Sequence, residues 1–425
     1  MKKSIILILI TFSIINVNQL FAQEQTLYFM NNVWQSNLLN PAFQTEKKFN
    51  ICLPSVYANA HSPLALNDLV VQKSGKKVLT LNNSTALAKL EATNDSRVDL
   101  NFQTAALSIG IGKKLRLNIH HAIKNDTRAS FTKDLANLAI KGNYPYIGQN
   151  LVLDLGLSEN AYNELGFGMS YAINDNLSVG ARFKKLNGVG GVFTEGSKLN
   201  LTTDTSTYGI TLNTDYKIKT FVNSEFAPSD LFKANGGAAF DLGATFKIGK
   251  LNLSAALIDL GGSINWEKGD TYIINANNVQ YKGVTDYNNA FNNSAGIGDS
   301  LKQKFGYTET KGTATYKHKM PLKTFIACTY QINEKFRVGA LIHTETSETA
   351  SNVNATIDGT ARLGKIFDVG ASIGLRNKSF NNLGFHAALK LSVIQLYFVT
   401  DNVLGIVNYA AQKDFNGRFG LNIIF

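Results

Sequence analysis

Six histidines, two cysteines and a scatter of basic side chains are what this 425-residue chain offers to chemistry, and their spacing assembles little of it. Catalysis or metal binding needs converging groups, such as His-Glu-x-x-His on one helix, paired Cys-x-x-Cys, or a Gly-x-Ser-x-Gly elbow, and none of these occurs. His120 and His121 are adjacent in an extended segment, where neighbouring side chains point to opposite faces, so they cannot readily share a metal. Gly188-Val189-Gly190-Gly191 lacks the helix that a phosphate cradle opens into. Cys52 and Cys328 are too few for a disulfide scaffold, and a single bridge between them is left open. The chain reads as non-enzymatic, with no catalytic residue, metal or cofactor. One set of charges does share a phase: Arg116, Arg182, Lys184, Lys247, Arg337, Arg376, His386 and Lys390 stand opposite the apolar positions of their segments, with fewer acids, among them Asp154, Asp241 and Asp368.

What positions those charges is a period-two pattern, the mark of strands with one oily face. Leu165, Phe167, Met169, Tyr171 and Ile173 alternate with Gly166, Gly168, Ser170 and Ala172; Asn174-Asp175-Asn176 turns the chain. Leu177, Val179, Ala181 and Phe183 then return against Ser178, Gly180, Arg182 and Lys184, which makes a hairpin. The same alternation runs through Phe240 to Ile248, Leu251 to Leu257, Phe336 to Ile342, Phe367 to Leu375, Leu383 to Leu391 and Phe419 to Phe425. Further strands are predicted near Val98 to Ile111, with a phase slip between Phe102 and Ala105 as a bulge makes, and near Leu115 to Ile123, Leu151 to Leu157 and Thr207 to Phe221. The second face is rich in Gly, Ser and charge. A soluble sandwich rarely puts so many glycines in mid-strand, whereas a barrel lumen uses small residues to make room. With 35 glycines and only 6 prolines, the fold class expected is all-β: a transmembrane antiparallel barrel of about fourteen strands with an N-terminal plug.

The ends agree with export. Lys2 and Lys3 precede the apolar run Ile5 to Ile15, a signal peptide over residues 1–22 with cleavage near Ala22/Gln23. Residues 23–60 are then expected as a plug or periplasmic segment and 61–425 as the barrel. No later apolar run is long enough for a membrane helix. Hydrophobic residues at 44% and a mean hydropathy of −0.06 fit a barrel with one polar face. Phe419, Leu421, Ile423 and Phe425 share one face of the last strand, the signal read by barrel-assembly machinery. The net charge of +11 is dispersed, which argues against nucleic acid and for contact with anionic outer-membrane lipid or lipopolysaccharide. Glycine-bearing turns at Gly112-Lys113, Gly249-Lys250 and Gly364-Lys365, with Asn174 to Asn176, are expected at the periplasmic end. Longer connections, Asn125 to Gln149 and Ser263 to Gly312, are expected outside. The first carries Phe131, Leu135 and Leu138 at helical spacing.

Several stretches carry a resemblance. Gln35-Ser36-Asn37-Leu38-Leu39-Asn40-Pro41-Ala42-Phe43, Asp241-Leu242-Gly243-Ala244, Leu257-Ile258-Asp259-Leu260-Gly261-Gly262 before Trp266, Gln395-Leu396-Tyr397, Thr400-Asp401-Asn402-Val403 and Phe419-Gly420-Leu421-Asn422 resemble, in that order, a Bacteroidota outer-membrane family of unknown function. That family is distantly akin to the PorP/SprF proteins of type IX secretion and gliding. The Asn-Pro-Ala-Phe element and the Leu-Gly repeats are also similar to fatty-acid-transporter-like barrels, whose N-terminal segment plugs the lumen. The resemblance implies outer-membrane residence, with Asn37, Leu39, Asn40, Pro41 and Phe43 as plug or ligand residues. It implies first an accessory, partner-binding role beside secretion or motility components, and alternatively a transporter or channel for a small hydrophobic or anionic ligand, the hydrophobic case with a lateral opening or kinked strand beside an apolar pocket. If Arg116, Arg182, Lys184, Arg337, Arg376 and Lys390 line a lumen, they either favour anions or are neutralised by carboxylates and plug carbonyls, as buried charge requires. Pairing is the expectation.

Overall fold

The computed structural model describes residues 24–72, 79–81, 83–222, 235–281, 308–348, 351–376 and 379–425. The expected signal peptide lies outside these residues. The strands in chain order are β1 (Phe49–His61), β2 (Val70–Gln72), β3 (Leu79–Leu81), β4 (Thr93–Ile111), β5 (Leu115–Thr132), β6 (Asn150–Val152), β7 (Leu155–Ala172), β8 (Leu177–Thr203), β9 (Ile210–Val222), β10 (Gly236–Ile248), β11 (Leu251–Tyr281), β12 (Thr308–Lys319), β13 (Leu322–Gln331), β14 (Phe336–Thr346), β15 (Ser351–Leu363), β16 (Phe367–Arg376), β17 (Ser379–Leu391), β18 (Ile394–Thr400) and β19 (Asp414–Ile424). Fourteen of them form one closed antiparallel barrel in the order β1, β4, β5, β7, β8, β10, β11 and then β13 to β19, and β19 pairs back onto β1. Closure leaves no unpaired edge at membrane depth, which hydrocarbon demands because it cannot hydrogen-bond a free edge. No described helix is long and apolar enough to span a membrane, which leaves strand crossing untouched.

Alternation sets the register. On β10, Phe240, Leu242, Phe246 and Ile248 are exposed outside while Asp241 is wholly buried inside; on β8, Val179 and Phe183 point out and Arg182 and Lys184 in. A register slip of one residue would put both cations into lipid. The slip in phase on β4 is real: Val98, Leu100 and Phe102 face out, then Leu107 and Ile111 do, and the ladder to β5 shifts between Gln103 and Ala105. A second shift on β1, between Cys52 and Ser55, contains Pro54, which has no N–H for the ladder.

Short turns gather at the end where β1 starts and β19 stops. Gly112, Gly249 and Gly364 adopt φ of +62°, +58° and +68° there, the left-handed region that glycine enters without strain. The Asn174 side chain accepts from the backbone of Asn176 and Leu177 (2.9 and 2.8 Å). Short turns mark the periplasmic end of such barrels.

Several boundaries differ from expectation. The barrel begins at Phe49, inside the stretch assigned to the N-terminal segment, because residues 49–61 alternate and pair on both sides. Ser263 to Gly312 is not one long connection: β11 runs on to Tyr281 and β12 opens at Thr308, while residues 282–307 lie outside the described part. Asn125 to Gln149 begins as the upper half of β5, which holds Phe131, and only then becomes a helix, Lys133–Lys141. In that helix Leu135 and Leu138 pack on Leu151, Leu153 and Leu201. Thr207 to Phe221 is not barrel wall. β9 sits above β10, between the upper halves of β8 and β11, and with β6 and β12 builds a raised sheet on that side. β8 and β11, at 27 and 31 residues, far exceed the 10 of β13 and β16, and a tilted strand crosses a bilayer in about 9–11. The raised wall holds an aromatic cluster in which Phe193 lies 5.8 Å from Trp266, 6.0 Å from Phe221 and 4.2 Å from Tyr316.

Candidate functional site

Residues 46–48 are exposed at the end where β1 starts, and residues 24–45 run inside the barrel. Their bonds reach strands all around it: Thr26 N donates to Asp401 (2.7 Å), Tyr28 OH to Ser254 on β11 (3.1 Å), and Gln35 and Asn422 on β19 exchange two bonds of 3.0 Å. Gln395 on β18 donates to Asn32 O (3.0 Å) and Arg337 on β14 to Phe29 O. The segment makes two 3₁₀ turns, Thr26–Phe29 and Trp34–Leu38. Polar side chains then shape its corner, since Asn40 Oδ1 accepts from Ala42 N (3.0 Å) and Asn37 Nδ2 donates to Pro41 O and Phe43 O (3.2 and 2.8 Å). Such local bonds are why Asn favours turns, and Pro favours them because its ring fixes φ.

Asn37, Leu39, Asn40, Pro41 and Phe43 are thereby brought together and buried. The corner lies on two glycines that face each other across the β8–β10 ladder, Gly180 and Gly243. A Cβ on Gly180 would stand 2.2 Å from Pro41 O, and one on Gly243 2.1 Å from Asn40 Oδ1. Phe43 meets Tyr28 edge-on at 4.9 Å, and Tyr28 stacks on Phe325 at 5.3 Å.

The basic residues separate. Arg116 and Arg182 point inward and are held by backbone carbonyls of the segment, Arg116 by Thr45 and Lys47 (2.9 and 2.8 Å) and Arg182 by Asn37 (2.6 Å). Lys184 binds Asp241 and Asp259 (2.8 and 2.7 Å), and Asp241 also takes Arg182 (3.0 Å). Arg337 caps Phe29 near the turn end, Lys390 is half-buried beside the short turn after β17, and Lys247 is exposed. The Arg376 side chain lies outside the described residues. Of the acids, Asp154 is not in the lumen but accepts from Leu199 N (3.0 Å) under the raised sheet. Asp368 binds Arg362 (3.1 Å) and Asn32, and His386 binds Asp358 (3.1 Å).

Most of the inward cations are met by carboxylates or by carbonyls of the segment. The sequence reading missed Arg97, which grips Asp99, Asp126 and Glu345 (2.7, 2.8 and 3.1 Å), and Glu164, which takes His120 and Lys124 (2.9 and 2.8 Å). A signal for the first existed: Arg97 with Asp99 and Asp126 with Arg128 are two apart and so share a face. Asp259 was legible only as part of Leu257 to Gly262. There Asp259 and Gly261 have φ of +64° and +65°, and the β10 pairing shifts twice, so the wall bulges and aims Asp259 at Lys184 and Lys323.

Two polar hollows flank the segment. The upper, about 90 Å³, is lined by Arg97, Lys124, Arg128, Arg182, Lys184 and Lys323 against Glu24, Asp99, Asp126, Glu164 and Asp259, six cations to five carboxylates. The lower, about 720 Å³, opens at the short-turn end among residues such as Asn32, Glu46, Lys335, Arg337, Arg362 and Asp368. Between them Leu27, Tyr28, Phe29 and Phe43 pack on Phe325 and Leu341. Cys52 and Cys328 are both free, and no metal-binding cluster occurs among the described residues.

Solved structures with low likeness to this chain include a Pseudomonas aeruginosa FadL homologue (12% identity, TM-score 0.46, covering 91% of this chain and 93% of that one). Others are the Pseudomonas putida toluene transporter TodX (10%, 0.42, 91% and 91%) and the translocator domain of the autotransporter NalP from Neisseria meningitidis (6%, 0.35, 90% and 91%). No curated protein matches the sequence. The sequence itself matches, over residues 41–401, the family described as "Family of unknown function (DUF5723)", and to that family this chain belongs.

Proposed function

We propose that this protein is an outer-membrane barrel in which residues 24–45 plug a gated passage for a small polar solute. The observation that carries the reading is the pair of hollows, one on each side of the same buried segment. The closed wall and its exposed apolar side chains support outer-membrane residence, in lipid and lipopolysaccharide, after assembly by the barrel-assembly machinery. Charge balance in the upper hollow argues for a zwitterionic or neutral solute over an anion. A barrel lacking residues 24–46, assembled in planar bilayers, is expected to conduct where the intact chain does not. A folded deletion variant with no conductance would overturn the plug.

The second reading is an accessory, partner-binding component beside secretion or motility machinery, with the kinship to PorP/SprF that it implies. What favours it is the raised wall of β8, β9, β11 and β12, a sheet standing beyond the length that a bilayer crossing needs. Gentle purification from the native membrane with a stoichiometric protein partner would support it; a specific solute without a partner would support the passage.

A further inference from the structure

The segment meets the barrel wall in two different ways. On one side Leu27, Tyr28, Phe29, Leu39 and Phe43 form a dry contact with Ala256, Phe325, Ala327 and Leu341. On the other it covers a strip of polar side chains on β4, β5 and β7 without bonding most of them. Arg116, Asn118 and His120 follow one another along the inner face of β5; Ser170 on β7 is paired with Arg116, and Gln103 on β4 with Ala122. All five are at most 7% exposed. Both side-chain heteroatoms of Asn118 and of Gln103, Ser170 Oγ, Arg116 Nε and His120 Nδ1 have no hydrogen-bond partner among the described residues. Neither has Trp34 Nε1, on the segment, whose ring centroid lies 6.1 Å from that of His120.

Buried polar groups in such density are satisfied by ordered water in folded proteins. The strip also has two ends. Above, His120 Nε2 bonds Glu164 at 2.9 Å, and Glu164 and Lys124 line the charged hollow. Below, Arg116 reaches the Thr45 and Lys47 carbonyls, just before β1 opens at the short-turn end. From Ala122 to Arg116 is six residues, about 20 Å of strand. We propose that this strip is a hydrated seam joining the charged hollow to the periplasmic end while the segment stays in place, passing water and solutes of similar size that hydrogen-bond. The inference rests on the plug reading for the segment's position, not for its removal.

Cys52 reports on the seam. It is fully buried, packs with Trp34 and Ala106, and Ala106 is the strand partner of His120. In a Cys328→Ser background in liposomes, hydrogen peroxide, a reagent close to water in size, is expected to oxidise Cys52 in the folded barrel (thiol plus peroxide giving sulfenic acid plus water), read as loss of thiol labelling after unfolding. Asn118→Leu, which replaces the strip's central amide with an apolar group, is expected to slow that reaction at least tenfold. Ser170→Val carries the comparison if heat-dependent gel mobility shows that Asn118→Leu does not fold. Cys52 untouched in the folded barrel but modified after unfolding would overturn the seam, as would an unchanged rate in the folded variant. Either result beside a conducting deletion barrel would leave the plug reading intact.

Discussion

Gly180 and Gly243 hold no side chain because the segment's corner occupies that space, and this makes them sensitive positions. Gly180→Ala sets a methyl against the Pro41 carbonyl at 2.2 Å, backbone that cannot swing away. Overpacking of this kind costs about 1–3 kcal/mol, here borne by the seating of Asn40 to Phe43. The variant is expected to keep the barrel but expose the segment, read as protease cleavage within residues 24–45 that the parent resists. Asp241 presents the opposite case, a buried anion shared by Arg182, Lys184 and the backbone N of Asp259 (3.0, 2.8 and 2.9 Å). Asp241→Asn leaves buried cations under-compensated, a loss of about 3–5 kcal/mol for a broken buried pair, and should lower the temperature at which the folded band disappears on a gel. Asp241→Asn combined with Arg182→Met should recover part of that loss; no recovery would mean that Asp241 acts mainly through Lys184.

Among the elements, β19 decides closure. Phe49 and Phe425 exchange backbone bonds of 2.8 and 3.1 Å, and their rings stack at 5.3 Å, so the last residue completes the seam between the first and last strands. Phe419 and Phe425 face outward, 60% and 51% exposed, and Leu421 and Ile423 share that face half-buried. Removing Phe425 is expected to slow assembly, seen as accumulation of the unfolded form in a time course. Phe419→Arg, near the middle of the strand, is expected to cost about 2–4 kcal/mol if it stands at the bilayer midplane, measurable in urea titrations with lipid vesicles. A neutral result there would place the membrane band elsewhere on the strand. The bulged stretch of β11 is a different device: it bends the wall and spends a left-handed Asp259 on reaching Lys184, an exchange of regular pairing for a directed side chain.

The whole molecule is a closed wall around a charge-balanced, nearly filled interior, with a taller sheet on one side. Deleting residues 24–46 takes Glu24 with it, so the upper hollow of that barrel keeps six cations against four carboxylates, which predicts a modest anion preference in any current through it. Reversal potentials in a salt gradient would check this, and cation preference would show that carboxylates elsewhere on the wall outweigh the loss of Glu24. In the intact chain, Arg418 is wholly buried and held by that same Glu24.

The expected count of about fourteen strands matches the closed wall. Alternation by itself determined the class, the outward face and even the bulge between Phe102 and Ala105, while glycines marked the short turns. Each is written locally, because a strand's side chains must answer to lipid or lumen one residue at a time. The same logic placed Arg116, Arg182, Lys184 and Arg337 on the inner face. It could not say what neutralises them, since Asp241 meets Arg182 across 59 residues and Glu345 meets Arg97 across 248. Nor could it find the start of β1, whose alternation is interrupted at Pro54, or show that β11 continues through Ser263 as wall and then as raised sheet. Those are products of closure. Only when the last strand bonds the first are residues 24–45 surrounded, and only then do an Asn-Pro corner, two distant glycines and a strip of polar side chains become one interior.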